Sequence, residues 1–166
     1  MSSSSDKPDS RPGRRGRFDS AEQEAYLNLW RAYDLLKRIE DKLFGQWDLT
    51  AQQYNALRLL RGEHPQSLAT LSLARRLVSP APDITRMLDK LEARGLVQRH
   101  RPAGNRRVVQ VAITPAGLEL LQQLDEPVRN CGREQVGHLS AAQLRELTEL
   151  LRQARRPHEP KSGPWA

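Results

Sequence analysis

The chain has a single cysteine, Cys131, in 166 residues. That excludes an internal disulfide and leaves no cysteine cluster to hold zinc. Its four histidines, His64, His100, His138 and His158, are scattered, so no metal site is expected. No run of about 18 apolar residues exists, so no membrane span is expected. The first twenty residues, MSSSSDKPDSRPGRRGRFDS, hold no apolar stretch of the secretory kind. The expected location is therefore the cytoplasm. Gly-rich phosphate loops, a G-x-S-x-G elbow and a local Cys-His signature are all missing, so neither an enzyme nor a cofactor is expected. One domain's worth of chain remains.

Acid is also in short supply. Lys and Arg number 27 against 20 Asp and Glu, a formal +7. The excess is concentrated. Residues 67–113 hold nine bases (Arg75, Arg76, Arg86, Lys90, Arg94, Arg99, Arg101, Arg106 and Arg107) against three acids (Asp83, Asp89 and Glu92), a net +6. A solvated surface normally mixes signs, so this stretch points to a polyanion, with nucleic acid the first partner to test.

Residues 1–19 are Ser, Asp, Pro, Gly and Arg around one bulky apolar residue, Phe18, and read as a disordered basic tail. Residues 157–166 read as a second tail. Between them, Tyr26, Leu29, Trp30, Tyr33, Leu36, Ile39 and Leu43 recur at spacings of three and four, which predicts a helix over 21–44 ended by Gly45. Thr50 and Gln53 form a capping box for a second helix, with Leu49 and Tyr54 as its hydrophobic staple and Gly62 as its C-terminal stop. Leu68 reads as a single bridging strand residue. Thr70 is placed to cap a short helix over 71–77. After the turn VSPAP at 78–82, a further helix is expected over 82–94, burying Ile84, Leu88 and Leu91 with Met87 on the flank. Asp83 suits the start of that helix, and Thr85, Arg86, Asp89 and Lys90 face away from its buried stripe. Two short helices joined by a tight turn, the second with an exposed polar and basic face, form a helix-turn-helix.

The period then changes. Residues 96–101 partly alternate, 102–105 (PAGN) are turn chemistry, and 107–114 (RVVQVAIT) are rich in β-branched residues. Together they predict a β-hairpin, the wing of a winged helix-turn-helix, with Arg106 and Arg107 at its tip. Thr114 and Pro115 open another helix, kinked at Pro127, whose apolar face is Leu118, Leu120, Leu121, Leu124 and Val128. Ser140 and Gln143 cap a last helix on which Leu144, Leu147, Leu151 and Ala154 step by three and four. The fold class is mostly α with a small β wing.

The order helix, helix, helix-turn-helix, wing, long helix, helix resembles the MarR family (multiple antibiotic resistance regulators). So does the wording of the centre. Residues 91–99 read LEARGLVQR against the family pattern L-E-x-x-G-L-V-x-R, and residues 111–117 read VAITPAG against V-x-L-T-x-x-G. The resemblance covers about 20–156, with the winged domain at about 67–114 and dimerisation helices at 20–45 and 115–156. Where the family's wing carries D-x-R, this chain has Asn105 before Arg107. Asn hydrogen-bonds but brings no charge, so Arg107 is expected to be held less firmly.

The resemblance implies a transcriptional regulator, usually a repressor, that binds a pseudo-palindromic DNA site as a homodimer and releases it on binding a small, often aromatic acid. A helix in the major groove reads base edges, which makes Arg86 the best candidate for a guanine. Thr85 and Lys90 suit phosphate or a thymine methyl. Arg75, Arg76 and Ser79 would meet the backbone, with Arg99, Arg106 and Arg107 on the hairpin. Solvated charge is the competing reading for Arg75, Arg76, Lys90 and Arg99. Tyr26, Trp30, Tyr33, Trp47, Tyr54, Arg58 and His64 are candidates for an effector pocket, although aromatics at helical spacing more often form core. Cys131 reads as a packed residue. The alternative function is a constitutive architectural or accessory DNA-binding protein without an effector.

Overall fold

The structure, a computed structural model, describes residues 18–104 and 107–160. The described residues form two compact units, divided between Lys37 and Arg38. One helix, α1 (Ala21–Gly45), begins in the first and ends in the second. In the first unit Ser20 starts the helix, its Oγ accepting from the Gln23 N–H at 3.1 Å. Three aromatic residues of this helix point to solvent. Tyr26, Trp30 and Tyr33 are 63%, 59% and 60% exposed, and the Tyr26 and Trp30 rings lie 6.3 Å apart.

In the second unit α1 closes without a glycine in the left-handed position. Asp48 takes φ +50° instead. The Asp48 and Leu49 N–H groups return to the carbonyls of Gly45 and Phe44, the bonding of a Schellman cap. Leu49 and Phe44, the apolar pair of that motif, are both buried. The helix α2 (Ala51–Glu63) starts on the expected capping box, with Thr50 and Gln53 bonded reciprocally. Tyr54 is buried beside Leu49 in the same core. The expected stop at Gly62 does not occur. The helix runs through it to Glu63, because Gly62 keeps a negative-φ backbone and the turn falls at His64.

The strand β1 (Leu68–Ala69) is two residues long and leads straight into α3 (Thr70–Arg76). Thr70 does not cap that helix. Ala69 occupies the N-cap position with no side-chain bond. The Thr70 hydroxyl and N–H both donate to the Val109 carbonyl, at 3.1 and 3.0 Å, so the hydroxyl ties α3 to the sheet. The next helix, α4 (Ile84–Ala93), starts two residues later than the spacing predicts, because Asp83 is the N-cap and accepts from the Arg86 N–H at 2.9 Å.

Gly95 ends α4 with φ +70°. The Gly95 and Leu96 N–H groups donate to the carbonyls of Glu92 and Leu91, a second Schellman cap, this one on the residue that adopts it without a Cβ clash. The strands β2 (Val97–His100) and β3 (Gln110–Ile113) then form the antiparallel hairpin, with Arg99 opposite Val111. The sheet order is β1-β3-β2. Pairing begins at Gln110 rather than 107, since the residues before it belong to the connection.

The helix α5 (Pro115–Val136) is capped by Thr114 and passes through Pro127 without interruption. Its first turn presses on the hairpin at Gly117, where a Cβ would meet the Leu96 carbonyl oxygen at 2.3 Å. The helix α6 (Ala141–Arg155) starts on the Ser140 and Gln143 capping box and buries no residue. A short 3-10 turn, Arg156–His158, follows where the sequence suggests a frayed tail. The core of the second unit includes Phe44, Leu57, Leu73, Leu88, Leu91 and Leu121, each almost wholly inaccessible. Burying such a side chain contributes about 1.5–3 kcal/mol. The fold is thus mostly helical with one three-stranded sheet.

Candidate DNA interface

The candidate recognition helix is α4. Met87, Leu88 and Leu91 are buried, while Thr85, Arg86, Asp89 and Lys90 are exposed. One helix therefore carries a packed face and a polar face, as its spacing predicts. The helix is set at its start by the Asp83 cap and at its end by Gly95. A shallow open groove of about 410 Å³ runs beside its first turns, lined by Thr50, Gln52, Ala81, Arg86, Met87 and Lys90, among others.

The turn between α3 and α4 is held by two amide side chains of α2. Asn55 Oδ1 accepts from the Val78 N–H at 3.0 Å, and Gln52 Nε2 donates to the Pro80 carbonyl at 3.2 Å. Neither residue stands out in the sequence. Amide groups on a helix surface carry no periodic signal, and their partners lie 23 and 28 residues away.

The candidate phosphate contacts divide. Arg75 and Ser79 are exposed. Arg76 is paired to Glu63 at 2.5 Å and half-buried. Arg99 is drawn onto α4. Its main-chain N–H donates to Glu92 Oε1 at 2.9 Å, its Nε and Nη2 donate to Glu92 Oε2 at 2.9 and 2.6 Å, and the same Nη2 meets Asp89 Oδ1 at 2.6 Å. These hydrogen bonds hold the Glu92 carboxyl below its ordinary pKa and raise that of the Arg99 guanidinium. Arg107 is exposed beside the hairpin tip. Arg106 and Asn105 lie outside the described residues, as do the arginines of the N-terminal tail.

Arg94, the residue after α4, holds a structural place that its charge alone does not reveal. Its Nη2 donates to the Trp47 carbonyl at 3.1 Å and its Nη1 donates to the Asp48 carbonyl. The end of α4 is thereby tied to the corner between α1 and α2. Arg61 and Asp125, 2.9 Å apart, make a similar tie between α2 and α5.

The candidate effector residues are dispersed in environment. Tyr54 is buried and stacked on Phe44, with ring centroids 4.7 Å apart, and burial pushes its phenol pKa up. Trp47 is half-buried against the core. Arg58 and His64 are exposed. Tyr26, Trp30 and Tyr33 belong to the first unit. None of these residues lines the groove beside α4. Cys131 is buried on α5, and desolvation raises its thiol pKa. Among the described residues no three His, Cys, Asp or Glu side chains converge as metal ligands, and no helix is long and apolar enough to cross a membrane.

The MarR family pattern matches residues 49–109, from the cap of α2 to the wing. A crystal structure of a MarR transcription factor from Planctomyces limnophilus is similar at 59% identity, with a TM-score of 0.66, over 81% of this chain and 98% of that one. The homoprotocatechuate degradative operon repressor of Escherichia coli is 30% identical over 104 residues, 63% of this chain and 69% of that protein. The chain belongs to the MarR family. Bordetella bronchiseptica BpsR, whose DNA binding is regulated by 6-hydroxynicotinic acid, shares the MarR fold at a TM-score of 0.73 and 24% identity, over 84% of this chain and 97% of that one. The MarR relatives are thus transcription regulators, with a repressor among them. In this MarR-family chain the helix-turn-helix is α3 and α4, and the wing is β2 and β3.

Proposed function

We propose that this protein is a sequence-specific transcriptional repressor that binds a pseudo-palindromic operator as a homodimer in the cytoplasm. The observation that carries the reading is the two-faced recognition helix. Its apolar side is locked into the core, while Thr85, Arg86 and Lys90 are presented together on the open side. Arg86 reads a base edge, with guanine O6 and N7 as the matching acceptors. Arg75 and Ser79 approach the backbone from the helix-turn-helix and Arg107 from the wing. Arg76 and Arg99, each held by carboxylates, stand behind that surface.

The dimer is supported by apolar surface without a partner in a single chain. Tyr26, Trp30 and Tyr33 on α1 are exposed, and so are Leu147, Leu150 and Leu151 on α6. Exposed apolar side chains grouped along a helix mark interaction sites, and a two-fold pair of recognition helices fits half-sites about one DNA turn apart. A small aromatic acid is the proposed releasing effector, by analogy with the regulated DNA binding of BpsR.

The test is fluorescence anisotropy with a labelled duplex from the region upstream of the protein's own gene, against a scrambled duplex, at about 0.15 M salt. Preferential binding of the upstream duplex by dimeric protein is expected. Arg86→Ala should cost about 1–3 kcal/mol and relax specificity at one base position, while Arg75→Ala should weaken all sequences alike. Equal binding to both duplexes would overturn the regulator reading. If no aromatic acid shifts the affinity, the protein is a constitutive DNA binder.

A further inference from the structure

Asp89 sits badly for a DNA-reading surface. It lies one helical turn from Thr85 and Arg86 and next to Lys90, on the open face of α4, and its side chain is 55% exposed. A carboxylate there would face the phosphates that its cationic neighbours approach, and like charges at such range repel. Glu92 places a second carboxylate on the flank of the same helix.

Arg99 meets both. It reaches from β2 rather than from α4 itself, and its side chain is only 24% exposed, so the cation is turned onto the helix and away from solvent. One nitrogen, Nη2, stands 2.6 Å from Asp89 Oδ1 and 2.6 Å from Glu92 Oε2. Nε and the main-chain N–H fix the guanidinium on Glu92. Arginine suits this use, because Nε holds Glu92 in a fixed plane while Nη2 reaches both carboxylates.

We infer that Arg99 serves DNA binding as a shielding and positioning residue: anchored on Glu92, it neutralises Asp89 on the reading face of α4. The inference deepens the proposed function and rests on it. It replaces direct phosphate contact as the role of this arginine. It also gives Glu92 a part, as the anchor that points the guanidinium at Asp89.

The experiment compares wild type, Arg99→Gln, Asp89→Asn and the double variant on the upstream and scrambled duplexes. Arg99→Gln is expected to bind both duplexes about ten-fold more weakly, since it uncovers a negative charge beside the phosphates. Adding Asp89→Asn should restore most of that loss. A residue that merely braced the hairpin would gain nothing from the second substitution. Asp89→Asn alone should bind both duplexes more tightly than wild type, with a steeper salt dependence. The inference is overturned if the double variant stays as weak as Arg99→Gln, or if Asp89→Asn weakens binding. Melts followed by circular dichroism identify a variant that does not fold. Should Arg99→Gln be one, Asp89→Asn decides alone, because it leaves the Arg99 and Glu92 contacts in place. A wild type without preference for the upstream duplex counts against the regulator reading, and the variants remain comparable on scrambled DNA.

Discussion

The Arg94 guanidinium donates to the main-chain carbonyl of Trp47 across 47 residues of sequence, at 3.1 Å. One end of that contact is the C-cap of α4 and the other is the corner where α1 gives way to α2. Because Arg94 also donates to the Asp48 carbonyl, a single side chain satisfies two carbonyls of the corner that follows α1. Arg94→Ala should lower stability by about 1.5–3 kcal/mol, the usual worth of hydrogen bonds from a charged donor. Urea unfolding followed by tryptophan fluorescence measures it. A loss below about 0.5 kcal/mol, within the range of an ordinary surface substitution, would show that the tie is idle.

Asp48 carries left-handed backbone at a position that glycine fills more easily. Its carboxylate lies 3.9 Å from Arg94 but is 96% exposed, and exposed pairs contribute little. Relief of the backbone conformation should therefore outweigh loss of the side chain. Asp48→Gly is expected to raise stability by up to about 1 kcal/mol, the gain being cut by glycine's greater freedom in the unfolded chain. Asp48→Val should lower stability, because a β-branched side chain resists positive φ. Paired thermal melts of the two variants give the sign directly.

Gly117 sits where α5 touches the hairpin. A methyl group there would stand 2.3 Å from the Leu96 carbonyl oxygen and 2.7 Å from Ile113 Cγ1. One of those neighbours is backbone, so the strain cannot be relieved by a rotamer change. Gly117→Ala should cost about 1–3 kcal/mol despite the better helix propensity of alanine. An unchanged denaturation midpoint would show that α5 and the hairpin can part without loss.

The Glu92 carboxyl is held below its ordinary pKa by hydrogen bonds from Arg99. A depressed folded pKa gives stability that is complete above the unfolded value of about 4.3 and is lost as pH falls toward the folded value. Glu92→Gln removes that dependence. The stability difference between wild type and Glu92→Gln should be constant from pH 7 to about 5 and shrink below about 4.3. Urea midpoints at stepped pH follow it, and a difference that grows on acidification would contradict the ion pair. Its size is modest, since Glu92 is 37% exposed.

Much of this molecule is written in short-range pattern. The Thr50 and Ser140 capping boxes, the proline that opens α5, the glycine after α4 and the alternation of β3 each bring their physics within a few residues. They could be read without knowing what lay across the fold. The same holds for the polar face of α4, because burial of Leu88 and Leu91 dictates which side remains outside.

Where the reading went astray, a distant partner had decided. Thr70 has the chemistry of a cap, but the Val109 carbonyl, 39 residues on, takes its hydroxyl. Arg99 counts as one more positive charge in the sequence, and only the approach of β2 to α4 turns it toward Asp89 and Glu92. The amino-acid sequence by itself determined the elements, their faces and the segment that carries the excess charge, since propensity, capping and periodic burial act locally. Only the tertiary structure decided which cations remain exposed and which are held by carboxylates. A charge-assisted contact depends on a few ångströms of separation between elements, and that separation is set by packing of the whole core.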